Sequence, residues 1–208
     1  MELQEELKKV LEELRKEKQR KFDQTVDLIV NLQKFNPKKD SVNIFVSLPN
    51  KIKDKKVAGF LEVKNAEIET ITQDDFRKYA DKKALKKLVN RFDFFIAQAS
   101  LMPKVATVFG KVLGPSGKMP SPQLGIIASI DAKSIAELKD KINKSTKLRT
   151  KEASIKIPIG KYSMDDKKII ENIMVIYNSL LKTLPRQKEN IKNIEIKFTM
   201  SKPKKIKV

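Results

Sequence analysis

The 208-residue chain contains no cysteine and no histidine. Without cysteine there are no disulfides, thiolate zinc sites or cysteine nucleophiles, and a reducing compartment suits the chain. Without histidine the usual general base, proton shuttle and imidazole metal ligand are missing, so catalysis would have to run on Asp, Glu, Lys or Tyr alone. No stretch is long and apolar enough to span a bilayer: uncharged runs such as 97–103 and 119–130 are too short or too polar. Met1 leads into a charged segment rather than an apolar signal region, which predicts a cytoplasmic protein with no membrane partner. The acid pairs Asp74-Asp75 and Asp165-Asp166 open predicted helices. There the helix dipole explains them, so they do not read as a metal site. No enzyme activity, cofactor or metal is expected.

Positive charge is abundant. Lys and Arg number 45 against 26 Asp and Glu, a net +19, and 40% of residues are hydrophobic, enough for a real core. An excess this large points to a polyanionic partner. Nucleic acid and an anionic membrane surface both qualify, and a merely solvated basic surface is the plain alternative. Residues 186–208 carry eight cations and two acids, which fits either a phosphate-contacting face or a solvated tail.

Periodicity outlines the elements. Residues 2–20 read as a helix, with Leu3, Leu7, Val10, Leu11 and Leu14 at three- and four-residue spacing. Strands are predicted over 26–32 and 42–48, then a Lys-rich crossing at 51–56. From Val57 strands and helices alternate: strand 57–63, helix 74–89, strand 92–98, helix 100–109, a Gly/Pro-rich loop over 110–122, and helix 134–142 with Ser134 as N-cap. Two-residue alternation returns over 153–159. A helix follows over 163–184, opened by a Ser163/Asp166 box-like cap and stopped by Pro185. Residues 191–200 alternate again with one slip. An α/β segment thus interrupts an α+β domain made from both chain ends, with crossings near 51–56 and 145–151 forming a hinge.

Three segments carry candidate chemistry. Residues 101–122, LMPKVATVFGKVLGPSGKMPSP, hold three glycines and four prolines and read as a fixed loop bearing Lys111, Gly114, Gly117 and Lys118. A phosphate-binding P-loop needs G-x-x-x-x-G-K-[ST]. Here Met119 follows Lys118 and Val112 stands where the first Gly belongs, so nucleotide hydrolysis is excluded. An interdomain loop and an anion-contacting loop both remain open. RKFDQTVD at 20–27 gathers two cations, an aromatic, a hydroxyl and a carboxylate at a helix-to-strand junction. Taken alone, Phe22 suits the core better than a base-stacking role. FTMSKPK at 198–204 ends a strand, where a Thr is usually just a good strand former.

Together these segments resemble the ribosomal protein L-one family in its archaeal-type form. The resemblance rests on RKFDQTVDLIVNL (20–32), FDFFIAQASLMP (92–103), KVLGPSGKMPSP (111–122), IPIGKYSM (157–164), Glu171-Asn172-Ile173 and FTM (198–200), in order and at matching spacing. It implies two domains. One is an outer α+β domain of split β-α-β type from residues 1–53 plus 151–208. The other is an inserted Rossmann-like, three-layer α/β domain over 54–150. It implies a monomer that binds the stalk rRNA of the large subunit beside the tRNA exit site, and its own mRNA as a translational repressor. Carried over by position, the RNA surface includes Arg20, Lys21, Phe22, Thr25, Asp27, Gly160, Lys161, Thr199, Met200, Ser201 and Lys202. The chain departs from the family at Ser201, where Gly is usual, at Asn50-Lys51 of the first crossing, where His-Gly is usual, and at Ser116, where Arg is usual.

The physics of such a surface is coherent. Short side chains at strand ends fit the shallow minor groove of A-form RNA and bond its 2′-hydroxyls, while lysines around them supply salt-sensitive affinity. Asp27 would accept a 2′-hydroxyl bond or orient Arg20 or Lys21. A magnesium-dependent nuclease and a general basic chaperone or membrane-surface protein are the competing classes. The first lacks an acid cluster; the second predicts competition by unrelated polyanions.

Overall fold

The computed structural model describes residues 2–17, 20–37, 39–79, 81–127, 132–150 and 152–206. The chain forms two compact units, one from Met1–Lys53 with Lys144–Val208 and one from Asp54–Asn143.

In the discontinuous unit, β1 (Thr25–Leu32) lies between β8 (Ser154–Lys161) and β9 (Ile191–Phe198), antiparallel to both, and β10 (Lys204–Ile206) extends the sheet beyond β9. β8 and β9 are joined by α5 (Asp166–Thr183), so with β1 inserted between them they form a split β-α-β. Alternation decides the layers. Val26, Leu28, Val30 and Leu32 point to one face and are buried with Ile155, Ile157, Ile194 and Ile196. That face is covered by α1 (Glu2–Arg15), through Leu7, Leu11 and Leu14, and by α5, through Ile169, Ile173, Ile176 and Leu180. The opposite face of β1 is half-buried at every position.

Several elements differ from the sequence reading. α1 ends at Arg15, short of residue 20. The Arg15 guanidinium is taken by Asp166 at 2.8 Å and by the Tyr162 and Met164 carbonyls, which ties the helix end to the start of α5. α5 is capped by Asp165, which accepts from Lys167 N–H, and not by Ser163, whose N–H and hydroxyl both donate to Asp23. Most of the crossing expected at 145–151 is strand β7 (Ser145–Arg149), paired with β2 (Asn43–Ser47) from Asn43↔Arg149 to Ser47↔Ser145. The return to the discontinuous unit therefore comes after Asn143 rather than after 150. The C-terminal tail contains β10, which the Lys-rich composition hid.

The inserted unit has a parallel sheet in the order β4-β3-β5-β6, from β3 (Val57–Phe60), β4 (Glu69–Ile71), β5 (Phe94–Gln98) and β6 (Ile126–Ile127). Both faces are buried, which gives the continuous apolar runs of its strands. Ala58, Phe60, Phe95 and Ala97 pack on one side with the 3-10 turn Gln73–Tyr79, α2 (Lys82–Arg91) and α3 (Met102–Ser116). Leu61, Ile96 and Ile127 pack on the other with Ile135 and Ile142 of α4 (Ala132–Lys144). The result is a three-layer α/β unit.

Two helices here were misjudged. The helix predicted over 74–89 is two pieces, because Asp81 caps α2 with its carboxylate on Lys83 N–H. In the preceding turn the Asp75 carboxyl is held down to about 2 by hydrogen bonds from Lys78 and Thr72. α4 begins at Ala132, so Ser134 lies inside the helix and does not cap it. The largest correction concerns 110–122. α3 runs on through Gly110 and Gly114 to Ser116, with Val105, Phe109 and Leu113 all fully buried at four-residue spacing. Pro115 is tolerated in the last turn. Gly117, at φ 73, ends the helix with Gly117 N–H on Gly114 O and Lys118 N–H on Leu113 O, a Schellman closure.

Candidate nucleic-acid interface

The candidate residues of the discontinuous unit converge on one end of the sheet. Register puts Thr25 opposite Lys161 of β8, and Val26 opposite both Gly160 and Phe198. A bulge between Val26 and Asp27 on the β8 side re-aims the strand end and sets Thr25 against Lys161. Past the end of β9, Thr199 keeps the pairing alive. Its N–H donates to Thr25 O at 3.1 Å, and its hydroxyl accepts from Thr25 N–H at 3.0 Å. Residues 174 positions apart are thereby held side by side.

Phe22 is 53% exposed and Met200 59%, against the core reading of Phe22. Two large apolar side chains in water at one sheet end cost solvation unless something covers them. Arg20, Lys21, Thr199 and Lys202 are exposed beside them, and Lys161 half-buried. Lys161 also reaches the Asp23 carbonyl at 3.4 Å.

Three candidates have an internal role. Gly160 is buried, and a Cβ there would meet Ile169 at 3.1 Å and Met164 sulfur at 3.3 Å, so a larger residue would make those side chains of α5 and its approach give way by a few tenths of an ångström. Ser201 turns the chain: its hydroxyl accepts from Phe198 N–H at 2.8 Å and its N–H donates to Phe198 O. Among the described residues the left-handed non-glycines are Lys34 and Gln187, so serine sits at 201 without backbone strain. Asp27 has its carboxyl raised by burial and partly lowered again by Lys197, its partner across β9. The cation acting on it is thus Lys197 and not Arg20 or Lys21.

The tail divides in a similar way. Lys202 and Lys205 are exposed, whereas Lys204 pairs with Glu13 at 2.7 Å. In the inserted unit, Lys111 and Gly114 are exposed on α3, and Gly117 is its left-handed closing residue. Lys118 is half-buried. Its ammonium donates to Val89 O and Phe92 O at 2.7 and 2.8 Å, satisfying carbonyls at the end of α2.

Two clefts open at the same sheet end. One, of about 230 Å³, is lined by Leu14, Glu17, Arg20, Gln24, Tyr162, Phe198, Met200 and Ser201. The other, of about 470 Å³, lies around Arg20, Lys21, Phe22 and Ser163. Gln24, Tyr162 and Asp23 are the residues that sequence reasoning passed over. The available signal was the strand period: with Val26, Leu28 and Val30 facing inward, Gln24 is an amide at an inward position. Among the described residues no group of acidic side chains could hold a metal ion, and no helix is long and apolar enough to cross a membrane.

Residues 14–202 match the profile of the Ribosomal protein L1p/L10e family. Curated relatives named "Large ribosomal subunit protein uL1" are similar over nearly the whole chain. The protein of Thermoplasma acidophilum is 38% identical, covering 97% of this chain and 96% of its own. That of Pyrobaculum islandicum is 36% identical over 95% and 90%, and that of Archaeoglobus fulgidus 36% over 93% of each.

Proposed function

This chain belongs to the ribosomal protein L1p/L10e family, structural and non-enzymatic proteins of the large ribosomal subunit, and we propose that it grips the rRNA of the mobile stalk with the end of its discontinuous sheet. The observation that carries the reading is the convergence of Phe22, Thr25, Lys161, Thr199 and Met200 at that end, with the Phe and Met side chains exposed. Exposed rings and thioethers stack on unpaired bases, and hydroxyls at strand ends bond 2′-hydroxyls across a minor groove. Arg20, Lys21, Lys161 and Lys202 supply the counterion-release part of the affinity. Bound there as one copy per subunit, beside the exit site, the protein assists release of deacylated tRNA. The same surface takes a stalk-like hairpin in its own mRNA and so represses its translation. It works in the cytoplasm, on the ribosome.

The test is a titration of the protein with a stalk rRNA fragment and with a scrambled hairpin of equal length, at about 0.2 M salt, where non-specific binding is weak. We expect 1:1 binding and clear preference for the stalk fragment. Equal affinities sink the proposal.

A further inference from the structure

Gln24 is 5% exposed, yet its side chain is only half used. Its Oε1 accepts from Met200 N–H at 3.1 Å, which fixes the orientation of the amide. Among the described residues nothing bonds to its Nε2. Gln24 also lines both clefts at the sheet end. Nε2 is not among the fully buried unpaired side-chain atoms of the described residues, so this donor opens into the cleft, where an acceptor on a ligand can complete it. The smaller cleft beside it, about 230 Å³, has Leu14, Phe198 and Tyr162 among its walls, and its charged walls are Arg20 and the acidic Glu17.

We propose that this cleft takes a single unstacked nucleobase of the bound RNA, and that Gln24 reads it by donating from Nε2 to an acceptor on the base edge. The inference rests on the reading that this sheet end binds RNA. Three features select a base over a phosphate. Half of the lining residues, Leu14, Tyr162, Phe198 and Met200, are apolar or aromatic, which suits a flat heterocycle. The unsatisfied group is a neutral amide. Glu17 opposes a second negative charge. Since Met200 N–H pins Oε1, the amide cannot flip to offer its oxygen. The cleft therefore accepts a ring nitrogen or carbonyl and rejects an amino group at that point. Sequence-specific RNA recognition works mainly in this way, on splayed-out bases of loops and bulges.

The test uses the full chain, with the stalk fragment and the scrambled hairpin as probes. Gln24→Glu keeps an acceptor for Met200 N–H and removes the donors; thermal unfolding checks its fold. We expect it to lose on the order of ten- to a hundredfold in affinity for the stalk fragment, with a smaller loss on the scrambled hairpin. In parallel, each unpaired nucleotide of the fragment is made abasic in turn. One position should cost the unmodified protein a similar factor and cost Gln24→Glu nothing further. A variant that discriminates as well as the parent protein, a uniform loss on both RNAs, or an abasic series without one coupled position overturns the proposal. Should Gln24→Glu fail to fold, the abasic series on the unmodified protein decides alone: with no single sensitive base, the cleft is not a base pocket. If the unmodified protein itself fails to discriminate, the underlying RNA-site reading has failed first.

Discussion

Thr199 shows how one hydroxyl can splice the fold at the sheet end proposed to bind RNA. It accepts from Thr25 N–H and reaches Thr25 O at 3.3 Å, splicing two strand ends at an exposed edge. Thr199→Val keeps the shape and removes the oxygen. We expect a stability loss of about 0.5–1.5 kcal/mol and a loss of RNA affinity of about 1–3 kcal/mol, with an unchanged salt slope because no charge is removed. Binding titrations across salt concentrations check this; an unaltered affinity returns Thr199 to a purely structural role. Asp27 makes a second prediction. Burial raises its carboxyl above the ordinary 3.8, so the native state holds the proton more tightly than the unfolded chain. Stability then falls as pH rises from about that value through the raised one. Asp27→Asn should raise the melting temperature at neutral pH. The gain should vanish below the window, where Asp27 is protonated in both states. A variant that melts lower at pH 7 would mean that the Lys197 attraction outweighs burial. At this scale the sequence misled at Phe22, which taken alone suits the core and is 53% exposed. It was unreadable where the role lay in a backbone bond, as at Ser201, or in a half-used amide, as at Gln24.

α3 tests how composition misleads at the scale of an element. Three glycines and four prolines over 101–122 suggested a loop. Buried Val105, Phe109 and Leu113 carry a helix through the first two glycines regardless, since tertiary packing outweighs a propensity cost of about 1 kcal/mol per glycine. A Cβ at Gly110 would meet nothing within 4 Å. Gly110→Ala should therefore stabilise the inserted unit by about 0.5–1 kcal/mol, read by denaturant unfolding. The same change at Gly114 should gain less, because Pro115 disfavours a helical, Cβ-bearing residue before it. A destabilised Gly110→Ala would contradict the helix. β7 and β10 were hidden for a different reason. Both are short, and their Lys and Arg content reads as linker or tail until a partner strand is known. The slip in the alternation over 191–200 was a real signal: it is the bulge that shifts register between Asn31 and Leu32.

At the scale of the whole molecule, the change of periodicity near Val57 was legible because parallel strands buried on both faces read differently from half-buried antiparallel ones. The second boundary was not, because β7 continues the basic composition of the segment before it. Each unit buries its own core. A chain joining residues 1–53 to 144–208 through a short Gly/Ser linker should therefore fold and keep most of the preference for stalk RNA. Retaining 144–150 matters, since β7 pairs with β2. A folded chain of this kind that cannot bind would move the site into 54–143. The interleaving of both ends in one sheet also imposes an order in time. β1 is synthesised early but has its neighbours only in β8 and β9, more than a hundred residues later, while the inserted unit draws on one continuous segment. During translation the inserted unit can thus close while β1 still waits for partners. Thr199 meets Thr25 only after residue 199 has cleared the exit tunnel, so on the proposed reading a nascent chain stays mute toward RNA until β9 has emerged.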